Sequence, residues 1–348
     1  MKDLKYLVAY ALPLVLIVSL NLRGIWSFFT PLFAFVLIPI IEIMLPVDDS
    51  NISEKEKKQK SKNIFFDILL YFNIPIIYGI VGWFLWSTTW ANYGLYEIIG
   101  LTFSVGIVLS SNGINVAHEL GHRTTRWERV LSKILLLPAM NLHFYIEHNF
   151  GHHLHAATKE DPASAKYNQS VYSFWFTSIL GQYRSAWNIQ MNLLKKEGRG
   201  FLSYKNDMLW YVAAQLVYYG VIYYFFGITA LAIAFGFAIS ALVMLETINY
   251  IEHYGLRRLK TASGRYERVK EIHSWNSNHV LGRIMLYELT RHSDHHYRAH
   301  KKYQLLEYHE VSPQMPYGYP TSMVISLVPP VWFALMNKRI PEEMKPNH

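Results

Sequence analysis

Residues 96–123 read YEIIGLTFSVGIVLSSNGINVAHELGHR, and this stretch decides the fold. Its first part, Tyr96 to Ala117, carries one charged residue, Glu97. Crossing a bilayer as a helix takes roughly 20 mostly apolar residues, so this part is long enough. Its last part is His118-Glu-Leu-Gly-His122. Two imidazoles four residues apart share one helix face. An apolar rod therefore ends in a pair of metal-binding side chains.

Outward from this stretch, five more segments have the length and apolarity to span. With Tyr96–Ala117 the set is about Tyr6–Leu22, Trp26–Leu45, Ile64–Ser87, Met208–Phe226 and Ile228–Tyr250. The first two and the last two are separated by very short turns, which predicts two helical hairpins. Proline and glycine inside several spans are tolerated in membrane helices. Met1 to Leu20, lysines followed by an apolar run, has the outline of a signal peptide. A second apolar run follows almost at once and no small-residue cleavage site stands out, so a retained helix is expected. Leu131–Leu142 and Met323–Met336 are too short to span, and the second contains Pro329-Pro330. Both are expected in the membrane interface. The charged run Glu54–Lys62 reads as a solvated linker. No internal repeat is present.

Lys and Arg number 33 against 25 Asp and Glu, a net charge of +8. Such a balance serves nucleic acid or an anionic membrane face, and the apolar stretches favour the membrane. Two of the basic residues precede the first span, five lie in Pro46–Asn63, eleven in His118–Asp207 and fourteen after Tyr250. Only Arg23 lies opposite. The positive-inside rule then puts both termini and both long polar segments in the cytoplasm. A soluble helical protein does not predict that split. The expected fold is all-α and integral to the membrane: six transmembrane helices with a cytoplasmic histidine-rich region, one domain over residues 1–348.

The chain has no cysteine and sixteen histidines. A disulfide framework, a thiolate-held zinc, a catalytic cysteine and a built-in iron–sulfur centre are excluded. Nine histidines fall into four clusters at the cytoplasmic ends of the spans or between them. They are His118 and His122; His148, His152 and His153; His253; and His292, His295 and His296. A single zinc takes four ligands in a structural site and three in a catalytic one. Nine imidazoles suit two metals, and imidazole serves iron, copper, nickel and zinc alike. Glu119, Glu147, Asn249, Glu252 and Asp294 stand beside the clusters and are expected to orient imidazoles through their other N–H, some of them as alternative direct ligands. His155, His300, His309 and His348 read as surface or hydrogen-bonding residues. His143, His273 and His279 fall near the site without ligand spacing.

Two rivals come from other classes. His118-Glu-Leu-Gly-His122 fits H-E-x-x-H, the zinc-protease motif with Glu as general base. A protease leaves at least six clustered histidines unused. A metal transporter would place its ionisable residues near the bilayer midplane, whereas these lie at one face.

HELGHR (His118–Arg123), EHNFGHH and ATKEDPASA within Glu147–Ala165, NYIEHYGL (Asn249–Leu256) and LTRHSDHH through KKYQLL (Leu289–Leu306) resemble the motifs of the membrane alkane 1-monooxygenases. HSWNSNH (His273–His279) matches a further stretch of that family. EHYGL is the most specific element. Membrane fatty-acid desaturases and hydroxylases share only the general three-box histidine pattern. The resemblance runs from about the second span to Pro320. It implies two iron ions held by all nine clustered histidines, O₂ as oxidant, and a hydrophobic tunnel into the bilayer. It implies hydroxylation of the terminal carbon of an alkane to a 1-alkanol, with a fatty-acyl or alkyl-aromatic substrate as the alternative. It also implies a bacterial-type inner membrane and electrons from rubredoxin, itself reduced by an NAD(P)H-dependent reductase. A rubredoxin iron needs cysteine thiolates, so a separate donor is expected. The basic face suits docking an acidic one.

Overall fold

The computed structural model describes residues 2–346 and is helical, with isolated β-bridges in place of strands among those residues. His348 lies outside the described residues. Among the described residues, five helices are long and apolar enough to cross a membrane: α1 (Asp3–Leu22), α2 (Gly24–Met44), α4 (Phe65–Ser87), α5 (Leu95–Gly121) and a last stretch, Asp207–His253. Short α3 (Glu54–Lys60) lies between α2 and α4. The amphipathic α6 (Arg126–Leu136) follows α5. Residues 144–155 form α7, and α8 is Val171–Lys196.

The last long stretch is two helices, α9 (residues 207–226) and α10 (residues 228–253). Gly227 between them has φ 80°, a left-handed conformation that favours glycine. The rings of Tyr219 and Phe235, eight residues either side, stack with centroids 4.8 Å apart. A straight helix would hold those residues about 24 Å apart. The chain therefore reverses at Gly227. The first hairpin turns at Arg23 and Gly24, both at positive φ.

The chain divides into two compact units. Unit 1 comprises residues 1–37, 64–145 and 186–245, and so holds the apolar rods. Its centre is α5. A Cβ on Gly106 would meet Ser240 Cβ of α10 at 2.4 Å, and one on Gly236 would meet Thr102 of α5 at 2.8 Å. Small residues let two helix backbones approach closely where lipid provides no hydrophobic drive. Polar side chains add ties. Asn112 of α5 donates to Asn73 Oδ1 of α4 at 2.9 Å and to the Ala9 carbonyl of α1 at 3.0 Å. At the opposite end from the histidines, Arg23 lies over the rings of Trp90 and Tyr93.

Unit 2 comprises residues 38–63, 146–185 and 246–348. It includes three further short helices: α11 (His292–Tyr297), α12 (Tyr319–Ser326) and α13 (Pro329–Met336). Its core is aromatic. Tyr250 packs on Phe174 and Trp332, and Trp275 donates its indole N–H to the Tyr254 carbonyl at 2.9 Å. After His253 the chain leaves α10 through Gly255, at φ 71°, where a Cβ would strike Ile340 at 2.2 Å. That glycine both ends the helix and admits the C-terminal segment.

The segment Glu54–Lys62 has the exposure expected of a solvated linker, with no buried residue in α3. It and the residues just before it are nevertheless tied down. Asp48 N–H donates to the Asn278 carbonyl at 3.0 Å, and Asn51 exchanges two hydrogen bonds with the Tyr308 backbone, at 2.7 and 2.9 Å. Lys57 of α3 pairs with Glu307, and the Lys60 carbonyl accepts from Gln304. Charge density marks a surface, but these charges have partners on the histidine-bearing C-terminal segment.

Candidate metal centre

In unit 1 the α-helical period delivers the first pair. His118 and His122 stand one turn apart at the foot of α5, ring centroids 5.1 Å apart. That foot is held from three sides. Arg123 pairs with Glu119 at 2.9 Å and with Asp67 of α4 at 3.0 Å. Ser132 of α6 donates to the Ala117 carbonyl at 2.6 Å. Glu128 accepts from Tyr71 at 2.9 Å and from Thr125.

In unit 2 the period changes. Residues His148–His152 form a π-helical turn, which takes more residues per turn than an α-helix. His148 therefore comes into register with His153, five residues on, and their Nε2 atoms approach to 3.0 Å. His152 points to another group. The i, i+4 spacing of His148 and His152 would put both on one face of an α-helix, and the π-helical turn separates them.

Two sets of imidazoles result. His148 and His153 gather with His295 of α11, their ligand nitrogens within 4.8 Å of one another. His152, His253, His292 and His296 gather within the same limit, all buried. In that second set His152 and His296 face each other Nε2 to Nε2 at 3.1 Å, as do His253 and His292. Two nitrogens bound to one cation at about 2.1 Å and near a right angle lie about 3.0 Å apart. Three such approaches among seven imidazoles bring lone pairs together, which only a shared cation or proton rewards. The donor set is imidazole nitrogen, without thiolate. It fits first-row transition metals rather than calcium or magnesium, which take oxygen ligands.

A family profile described as fatty acid desaturase matches residues 88–325. The chain is 35% identical over 326 residues to alkane 1-monooxygenase of Acinetobacter baylyi, covering 93% of this chain and 79% of that protein. It is 33% identical over 352 residues to alkane 1-monooxygenase 2 of Alcanivorax borkumensis, covering 98% and 91%. The chain belongs to the alkane 1-monooxygenase family. It is accordingly a membrane oxidoreductase of the monooxygenase class. Similarity extends, at 26% over 307 residues, to the hydroxylase component of a xylene/toluene monooxygenase of Pseudomonas putida, covering 87% and 80%.

The carboxylates of this alkane-monooxygenase chain divide differently from expectation. Glu252 accepts from Tyr319 at 2.7 Å and lies 3.3 Å from His292 Nε2, the nitrogen that faces His253. Glu119 serves Arg123. Asn249 donates to Glu246, at 3.3 Å. Asp294 orients no imidazole of either set. Its oxygens accept from Lys301 at 2.7 Å, from the Glu307 N–H at 2.8 Å and from His309 at 2.9 Å. In α11 the side chain two after His292 points away from both sets. Burial pushes the Glu147 carboxyl up to about 8, and the Asp161 carboxylate adds to the rise.

Asp161 does hold an imidazole, 2.9 Å from His152 Nδ1. Ser164 and the Ala163 N–H fix its carboxylate in turn. Burial works against its charge, yet His152 holds the carboxyl below its usual value. Asp161 falls inside the ATKEDPASA stretch, but no spacing rule pairs it with a histidine. No motif or spacing marks Glu246 either. It is a buried carboxylate in α10 that accepts from Ser178 at 2.5 Å and from Gln182 at 2.8 Å. Among the described residues, His143, His155, His273, His279, His300 and His309 join neither set. His273 Nδ1 accepts from the Lys270 N–H, and His279 pairs with Ser277. His309 bonds Asp294, as a hydrogen-bonding residue should.

Proposed function

We propose that this protein hydroxylates the terminal carbon of an alkane with O₂, using two irons held by its nine clustered histidines. The reaction balances as RH + O₂ + 2 e⁻ + 2 H⁺ → ROH + H₂O. The observation that carries the reading is identity of 33–35% to alkane 1-monooxygenases over most of the chain, with every clustered histidine in place. Within unit 2, His148, His153 and His295 would serve one iron and His152, His253, His292 and His296 the other; His118 and His122 complete the nine. Iron supplies the redox chemistry with O₂ when bound.

The chain's own contributions follow from substrate chemistry. An alkane offers no polar handle, so its binding must come from burial, about 0.8 kcal/mol per CH₂. Apolar rods in a bilayer suit a substrate that already partitions into lipid. Asp161 keeps the His152 tautomer by taking its Nδ1 proton as a hydrogen bond. Electrons would come from a separate rubredoxin with its NAD(P)H-dependent reductase, docking on the cytoplasmic side. The distribution of Lys and Arg supports cytoplasmic termini in a bacterial-type inner membrane.

The test is product analysis by mass spectrometry with purified protein, rubredoxin and reductase, over a panel of alkanes, fatty acids and xylene. A 1-alkanol is expected, with NADH-linked turnover lost when rubredoxin is omitted. A new double bond would indicate a desaturase instead. The xylene/toluene relative favours an alkyl-aromatic as second reading, and benzylic alcohol in excess of alkanol would establish it. Metal analysis giving one zinc per chain would return the protease reading.

A further inference from the structure

Helix α11 supplies ligands to both sets, His295 to one and His292 with His296 to the other. It has six residues, too few to be stable alone. Something else must hold it. Just before it, Tyr287 and Glu288 adopt left-handed backbone, at φ 53° and 56°. At its N-cap stands Arg291, 3% exposed. The guanidinium reaches the linker between α2 and α4. It donates to the Ser50 carbonyl at 2.8 Å, the Asp48 carbonyl at 3.3 Å and Asn51 Oδ1 at 3.3 Å, and to the Leu306 carbonyl at 2.9 Å. Arg283 joins the same strand of linker at Asp48. On α11 itself, Asp294 meets Lys301, Lys301 meets Glu307 at 2.6 Å, and Glu307 meets Lys57 of α3.

We infer that the linker, residues 46–63, is a strap that positions α11, and that Arg291 is the positioning residue through which it acts. Three main-chain carbonyls and one amide converge on one planar cation, which fixes orientation as well as distance. Since α11 feeds both sets, the strap acts on the ligands of both and not on one set alone. This rests on the two-metal reading above. It gives the basic loop between the second and third rods a role in the centre without touching substrate or metal.

The experiment uses the full chain in detergent, grown on ⁵⁷Fe, with iron per chain and the Mössbauer quadrupole splitting as readouts. Arg291→Ala is expected to weaken iron retention by about 10-fold or more, the scale for partners behind metal ligands. Arg291→Lys should restore part of it. Asn51→Ala, on the exposed strap itself, should shift the splitting of the retained iron in the same direction, so the inference stays testable if Arg291→Ala does not fold. A strap with a merely structural role would lower the melting temperature of Asn51→Ala and leave its splitting unchanged, which overturns the inference. Wild type that does not hold two irons overturns the two-metal reading instead.

Discussion

The foot of α5 in unit 1 and the histidine region of unit 2 solve one problem in two ways. At the foot of α5 the α-helical turn Asn115–Gly121 presents two imidazoles, and local spacing accounts for both. In unit 2 seven imidazoles arrive from α7, α10 and α11, and spacing misleads. His148 and His152 are four apart but belong to different sets, because the turn between them is π-helical. His292 and His296, also four apart, stay together because α11 is α-helical there. A ligand pair within one helix is a local property. A ligand set drawn from several short helices depends on what holds those helices, here Asp161, Tyr319 and the strap.

The largest effect should come from removing one ligand in each region. His253→Ala and His122→Ala are each expected to abolish product formation while the protein stays in the membrane fraction. If His122→Ala kept full turnover, the α5 pair would leave the proposed ligand set and unit 2 would act alone. Next, Arg123→Ala breaks buried ion pairs at the α5 foot and leaves Glu119 and Asp67 without their cation. Breaking one partner of a buried pair destabilises by about 3–5 kcal/mol. A denaturant or thermal titration in detergent checks it, and a change below 1 kcal/mol, roughly the worth of an exposed pair, would show the foot is held by packing instead.

Asp161→Ala acts in unit 2 alone. It should reduce metal retention about 10- to 100-fold, as loss of a histidine-orienting carboxylate does. Dialysis against a chelator, followed by iron analysis, measures it. The smallest effect concerns the strap's outer ion pair. Burial pushes the Glu307 carboxyl up, but Lys301 and Lys57 outweigh it and hold it at about 2, against 4.5 ordinarily. A depressed carboxylate contributes stability above its unfolded value and loses it as pH falls toward the folded one. The melting-temperature gap between wild type and Glu307→Gln should therefore be constant from pH 6 to 5 and begin to close below about pH 4.5. A gap that does not change down to pH 3 would mean that Glu307 contributes by packing.

Hydropathy by itself marked the apolar rods, because burying a rod in lipid needs a stretch of fixed length and little charge. Residue identity determined the nine clustered histidines, and the absence of cysteine removed thiolate chemistry. The α5 pair was legible because helix geometry is local. Tertiary structure alone decided which imidazoles share a set, since that depends on a π-helical turn and on helices distant in sequence. It alone paired Asp161 with His152, turned Asp294 away from the centre, and tied the charged linker to α11. Hydrogen bonds of this kind join residues up to 257 positions apart, and no periodicity along the chain encodes such a distance.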